Sequence, residues 1–205
     1  VAPWGGIVQN RSVRLVLASA SPRRQALLAA CGFDLDVDAA DVDEAVVDDE
    51  APADLVLRLA RAKASAVAQR HPPDAIVVAA DTTVALDRAI LNKPVDDADA
   101  RRMLRLLSGQ THSVLTGYCV RRGDVITDGV VVTAVAFRAL RDVDVDAYLR
   151  TGEHRDKAGA YGIQGAAAVL VSSVAGSLTN VIGLPVDEVV AAIDVVAGAA
   201  HAGRT

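Results

Sequence analysis

The chain has 205 residues, 52% of them hydrophobic, with 26 acidic and 21 basic side chains and a formal net charge of -5. Such length and apolar content support one sizeable domain or two lobes around a cleft, and exclude a disordered chain. The acidic balance excludes a general nucleic-acid binder, and an aromatic content of 3% excludes a stacking platform for single strands.

Residues 1–13 read as a flexible lead-in to a single domain over residues 14–205. They lack a basic segment followed by an apolar h-region. No apolar run approaches the roughly 20 residues that span a bilayer, so a soluble, cytoplasmic protein is expected. Arg14 to Ser19 reads as a buried strand. It breaks into SASPRR, where Pro22 suits a first helical turn; the helix runs to about Cys31, with Gly32 as its C-terminal stop. Phe33 to Val37 alternates like a strand, and Ala39 to Ala51 is an acidic loop carrying Asp41, Asp43, Glu44, Asp48, Asp49 and Glu50. From Pro52 to Arg70 the apolar spacing predicts a helix with Leu55, Leu59, Ala62 and Ala66 on its stripe, stopped by His71, Pro72 and Pro73.

Ala75 to Ala80, reading AIVVAA, predicts a central strand covered on both faces and ending at Asp81, with Thr83 to Leu86 continuing extended. Asp87 and Arg88 read as a turn, and Ala89 to Leu91 as the return. Asp96 to Leu107 reads as a helix opened by acidic residues. Thr111 to Arg121 and Val125 to Phe137 flank Arg122, Gly123 and Asp124, a strong hairpin signal. A helix at Asp142 to Leu149, a glycine-rich loop at Gly152 to Gly165, a strand at Ala167 to Val174 and a helix at Pro185 to Val196 follow. The mixture of βα units with an antiparallel hairpin gives an α/β or α+β fold with a mixed sheet. Cys31 and Cys119 lack metal-ligand spacing and read as buried thiols, with a disulfide left open. His71, His112, His154 and His201 show no metal spacing either.

The turn after the first strand carries the strongest chemical signal. Ser19, Ser21, Arg23 and Arg24 cluster where a strand enters a helix N-terminus. Free backbone N–H groups, hydroxyls and paired guanidinium forks there suit a polyphosphate. A capped helix with solvent-facing arginines is the bland alternative. Asp81, with Thr82 and Thr83, follows a wholly apolar run; a carboxylate there is a general base or metal ligand, or else it caps a turn. Within the acidic loop Glu44 is the candidate, the other carboxylates reading as solvated charge. Lys63 and Lys93 matter only if the fold carries them to the same phosphates. In DKAGAYGIQG (Asp156 to Gly165) the glycines permit close backbone approach to a ligand, and the Gln164 amide can donate and accept. Neither a Walker A sequence nor a G-x-G-x-x-G fingerprint occurs.

Together LASASPRR (Leu17 to Arg24), VLRLARAKA (Val56 to Ala64), AADTTV (Ala79 to Val84), LNKP (Leu91 to Pro94), LSGQTHSVLTG (Leu107 to Gly117), DKAGAYGIQG and VIGLPVDEV (Val181 to Val189) resemble the Maf family of nucleoside triphosphate pyrophosphatases, from about Leu15 to Ile193. The resemblance implies an α/β, Maf/ITPase-like fold: a mixed twisted sheet with flanking helices and two lobes around a deep cleft. It implies α–β cleavage of a nucleoside triphosphate with a divalent cation, Mg²⁺ or Mn²⁺, held by Glu44 and Asp81. Asp81 matches the proton acceptor; Arg23, Thr82 and Gln164 match positions tied to base specificity. SPRR, DT and IQG match the sub-branch preferring dTTP and UTP rather than the 7-methyl-GTP pattern. On that reading Ser19, Ser21, Arg23, Arg24, Lys63 and Lys93 hold the triphosphate, in a house-cleaning role that extends to modified nucleotides. The alternative is a nucleotide-binding regulator of septum formation and cell division with little catalysis; Asp81 and Glu44 favour the enzyme. The expected partner is the nucleotide alone, without nucleic acid or membrane. No interface stripe decides for or against a homodimer.

Overall fold

A computed structural model describes residues 14–202; the expected lead-in at 1–13 lies outside the described residues. Strand β1 (Arg14–Leu17) is wholly buried after its first residue and enters α1 (Pro22–Ala30), with Pro22 opening the helix. Gly32, at φ 82°, adopts the left-handed turn after that helix that favours glycine. Next come β2 (Asp34–Val37), the acidic loop, α2 (Pro52–Ala68), β3 (Ile76–Leu86), β4 (Ala89–Leu91) and α3 (Asp97–Leu107). The hairpin β5 (Thr111–Arg122) and β6 (Val125–Phe137), α4 (Asp142–Leu149), β7 (Val171–Ala175), α5 (Leu178–Ile182) and α6 (Val186–Ala202) complete the order.

The seven described strands form one mixed sheet, β2-β1-β3-β5-β6-β7, with β4 alongside β3. β2, β1 and the start of β3 run parallel; β3, β5, β6 and β7 pair antiparallel. On one edge β3 pairs with β5 from Ile76 to Ala85. On the other it pairs with β1 only at residues 76–78 and with β4 only at 84–86, leaving an opening between them. That opening positions the site, because β1 ends and α1 begins beside it. Side chains of β3 alternate between faces. Val77 and Ala79 pack with Ala60, Ala64 and Val67 of α2, while Ile76, Val78 and Ala80 pack toward α6. A separate core gathers α3, α4 and the 158–174 region around Leu104, Phe137 and Leu170, forming the second lobe. No described helix is long and apolar enough to cross a membrane.

Several boundaries differ from the sequence expectation. β3 does not stop at Asp81 but continues through it to Leu86, since β5 supplies partners along the whole length. On α2 the buried stripe is Leu55, Val56, Leu59, Ala60, Lys63, Ala64 and Val67; Ala62 and Ala66 are only partly buried. The expected strand at Ala167 to Val174 starts as a 3-10 turn (Ala166–Leu170), and only Val171–Ala175 is extended. The short helix α5 was not expected; Ser177 caps it by accepting from the Asn180 N–H. Neither cysteine is in a disulfide, and burial pushes the Cys119 thiol up to about 11.

Gly117 explains how α2 sits so close to the sheet. It pairs with Asp81, and a Cβ placed on it would lie 2.3 Å from the Val56 carbonyl oxygen and 2.7 Å from the Leu57 nitrogen. Gly117→Ala therefore forces α2 off the sheet. The expected loss is about 3 kcal/mol in urea unfolding, accompanied by loss of activity as Lys63 leaves Asp81.

His112 gives the second lobe a pH dependence. Its ring is 2% exposed, packs edge-on to Phe137 and Tyr161, and lies 2.7 Å from the Tyr161 hydroxyl. Burial lowers its pKa to about 4. The unfolded chain therefore takes up the proton first as pH falls below about 6.5, and stability is lost between there and about 4. Thermal melts at pH 7 and 5 should show a loss of about 2 kcal/mol from this residue, absent in His112→Phe. An equal loss in the variant removes His112 as the cause.

Candidate active site

One cavity of about 820 Å³ opens at the gap between β1 and β4, and the candidate site residues from the sequence line it, while Thr83 is buried behind it. The β1–α1 turn contributes Ser19, Ser21, Arg23 and Arg24; the acidic loop contributes Glu44 and α2 contributes Lys63. β3 brings Asp81 and Thr82, the segment after β4 brings Lys93, and the glycine-rich loop brings Gln164. These groups lie far apart in sequence and converge because β1, β3 and α2 are packed against one another at this opening.

Ser21 begins α1 without a side-chain capping bond, so its hydroxyl does not satisfy the first-turn N–H groups. Its own N–H donates instead to Ser19 Oγ at 3.2 Å. This excludes the ordinary capped-helix alternative for Ser21 and leaves a helix N-terminus facing the cavity. Arg24 is already engaged: Nε donates to the Gly183 carbonyl (2.8 Å), Nη1 to Ser19 Oγ (3.1 Å) and Nη2 to Thr82 Oγ1 (3.0 Å). Burial lowers its pKa, while Asp81 opposes that shift, Arg23 adds to it and Glu44 opposes it. Arg24 thus ties α1 to β3 and to the turn before α6, and presents its charge from a fixed position. Arg23 reaches across the cavity mouth to Asp156 at 3.4 Å.

Asp81 and Thr82 point to opposite faces of β3. Thr82 Oγ1 meets Arg24, the Thr116 hydroxyl (2.9 Å) and the Gly183 carbonyl (3.4 Å). Asp81 faces α2, where the buried Lys63 ammonium donates to its Oδ1 at 2.6 Å and lies 2.5 Å from Glu44 Oε1. A single ammonium therefore joins the two carboxylates. Burial opposes ionisation of Glu44, but the Lys63 hydrogen bond and charge, with Lys93 and Arg24 behind them, hold its carboxyl below the usual range. Of the other loop acids, Glu50 is taken by Arg58 at 2.6 Å and Asp43 by the Ala45 N–H, as expected for surface charge.

Among the described residues no group of three or more His, Cys, Asp or Glu side chains is arranged to hold a metal ion. Glu44 and Asp81 alone do not cage one. The Lys63 ammonium already bridges Glu44 Oε1 and Asp81 Oδ1, so these carboxylates could offer a hard divalent ion only their second oxygens, with the rest of its ligands coming from water and phosphate.

Residues 14–196 match the model of the Maf family, described as Maf-like protein. The chain belongs to the Maf family. It is 54% identical to a dTTP/UTP pyrophosphatase of Anaeromyxobacter dehalogenans, over 87% of this chain and 91% of that one. It is likewise 54% identical to a dTTP/UTP pyrophosphatase of Geobacter sulfurreducens, over 86% and 93%. A Pyrococcus furiosus protein of the same description is 44% identical over 88% and 94%.

The polar and charged residues of SASPRR, ADT, NKP and DKAGAYGIQG line the cavity, while the apolar residues of VLRLARAKA, LSGQTHSVLTG and VIGLPVDEV fill the cores behind it. Sequence reasoning passed over Glu153 and singled out no role for Asp156, Asn92 or Gly183, all of which line the cavity. Asn92 accepts from the Gly159 N–H at 3.2 Å, fastening the glycine-rich loop beside β4. A backbone carbonyl such as that of Gly183 has no side-chain signature. Glu153 lies in a polar loop where acidic residues are common, so pattern alone could not find it.

Proposed function

We propose that this Maf protein hydrolyses nucleoside triphosphates, dTTP and UTP foremost and modified nucleotides besides, between the α and β phosphates. One observation carries the reading: cations from separate elements, Arg23, Lys63 and Lys93, share a cavity with Asp81 and with an uncapped helix N-terminus. The names of the close relatives supply the base preference.

In this mechanism the triphosphate lies along the N-terminus of α1, with Ser19, Ser21 and first-turn N–H groups orienting its oxygens. Asp81 accepts the proton of a water that attacks the α phosphorus. The new bond joins water oxygen to phosphorus as the α–β bridging bond breaks, and pyrophosphate leaves with the electron pair. Lys63, Lys93 and Arg23 neutralise the charge that grows on the departing group. A divalent cation, Mg²⁺ or Mn²⁺, would be held by Glu44 and Asp81, and would supply charge neutralisation at the phosphates. Gln164 meets the base, and Arg23 bears on base choice from the phosphate side of the cavity. The Thr82 hydroxyl is committed to Arg24, Thr116 and Gly183, so its influence on the base runs through the wall it braces.

The test is product analysis with a panel of nucleoside triphosphates and either cation. Pyrophosphate and monophosphate, released chiefly from dTTP and UTP, are expected. Inorganic phosphate with a nucleoside diphosphate means γ cleavage and defeats the assignment. Equal release from all bases removes the dTTP/UTP preference alone.

A further inference from the structure

Gln164 sits in a short turn closed by a hydrogen bond from the Gly165 N–H to the Gly162 carbonyl at 3.1 Å. Both ends of that turn are fastened. On one side the Gly162 N–H reaches the Tyr148 hydroxyl at 3.3 Å, and the Lys157 side chain packs so closely that a Cβ on Gly162 would lie 2.5 Å from Lys157 Cε. On the other side the Ala166 N–H donates to both Glu153 oxygens, at 3.0 Å and 3.3 Å.

Glu153 is itself held firmly. Its carbonyl accepts from Lys157 Nζ at 2.5 Å. The next residue, His154, is fully buried with Nε2 2.9 Å from Asp97 at the start of α3. The carboxylate reaches Ala166 only because residue 165 is glycine: a Cβ there would stand 2.1 Å from Glu153 Oε2. A carboxylate accepting a backbone N–H is a charge-assisted bond, stronger than a neutral one.

We propose that Glu153 is a positioning residue for base selection, fixing the turn that presents the Gln164 amide to the base; this rests on the assignment of Gln164 to base contact. The chemistry explains why position matters. Thymine and uracil offer an N–H donor beside a carbonyl acceptor, and guanine offers the same pair on a larger ring. A carboxamide carries both a donor and an acceptor and pairs with either ring only when it stands at the right depth in the cavity. A Gln on a loose turn follows either base, whereas a Gln on a turn fastened at both ends favours the base for which its backbone is placed.

Steady-state kinetics with dTTP and dGTP test this in Glu153→Ala, Glu153→Gln, Gly165→Ala and Gln164→Ala. Glu153→Ala should lower the dTTP-to-dGTP ratio of kcat/KM about tenfold, chiefly through KM for dTTP. Glu153→Gln should keep most of the ratio, because its amide oxygen still accepts from Ala166. Gly165→Ala should reproduce the Glu153→Ala pattern by pushing the carboxylate away, and carries the test if Glu153→Ala fails to fold. Adding Glu153→Ala to Gln164→Ala should lower the ratio no further. An unchanged ratio in Glu153→Ala and Gly165→Ala, with a collapsed ratio in Gln164→Ala, overturns the positioning role while leaving Gln164 at the base. A fall in kcat with KM intact in both Glu153 variants puts the carboxylate in the chemistry and also overturns it. An unchanged ratio in Gln164→Ala removes the base-contact assignment and this inference with it.

Discussion

Asp81→Asn should abolish turnover and leave nucleotide binding intact or slightly tighter. Asparagine keeps the shape of the side chain and an oxygen for Lys63, which lies 2.6 Å from Oδ1. It cannot take a proton from water, and loss of a positioned general base costs about 10²–10⁴ in rate. The backbone at residue 81 lies inside a continuous pairing with β5, opposite Gly117, so the fold does not depend on the charge. Lys63 keeps Glu44 as its counter-ion at 2.5 Å, which limits the stability cost to below about 2 kcal/mol. Binding tightens because one negative charge facing a polyanion is gone. Pyrophosphate release and calorimetric titration of dTTP measure the two quantities separately. Turnover near that of the wild type would take Asp81 out of the proton transfer; lost binding with unchanged kcat would make it a substrate ligand instead.

The sequence carried the strand and helix order well wherever the signal is local. The hairpin β5–β6, the entry into α1 at Pro22 and the acidic opening of α3 depend on residues next to one another in the chain, and all stand as expected. Signals that depend on a distant partner were illegible. Asp81 looked like a strand end because a carboxylate interrupts an apolar run, yet β5 pairs straight through it. The stripe of α2 was displaced because Lys63 counts as polar in any periodicity, although the stripe includes it as a buried ion-pair partner. Arg24 reads as a phosphate ligand beside Arg23 and does line the cavity; what the sequence could not show is its bracing role, because its three protein partners belong to residues 5, 58 and 159 positions away. In the second lobe, Ala167 to Leu170 has strand-like composition but folds as a 3-10 turn, which Glu153 caps at the Ala166 N–H.

Lys63→Met should cost both activity and stability, and a second substitution should return only the stability. Lys63 is 7% exposed, and its ammonium lies between Asp81 and Glu44. Methionine fills a similar volume with no charge. The two carboxylates then face a triphosphate with no shared counter-charge, and one cation is missing from the departing pyrophosphate. A fall in kcat/KM of about 10²–10³ is expected. Stability falls by about 3 kcal/mol, because breaking a buried pair leaves Asp81 uncompensated at 14% side-chain exposure. Replacing both members is different: Lys63→Met with Asp81→Asn removes the stranded charge, and such double replacements are often near neutral. Urea unfolding of the double variant should therefore come back toward the wild type while turnover remains absent. Lys93→Met offers the contrast. Lys93 lines the same cavity. Its loss should weaken binding and turnover with little effect on unfolding. If the double variant regains no stability, the 2.6 Å contact between Lys63 and Asp81 is not what holds α2 against β3 at the active site. If Lys63→Met retains activity, the shared ammonium has no part in neutralising the substrate.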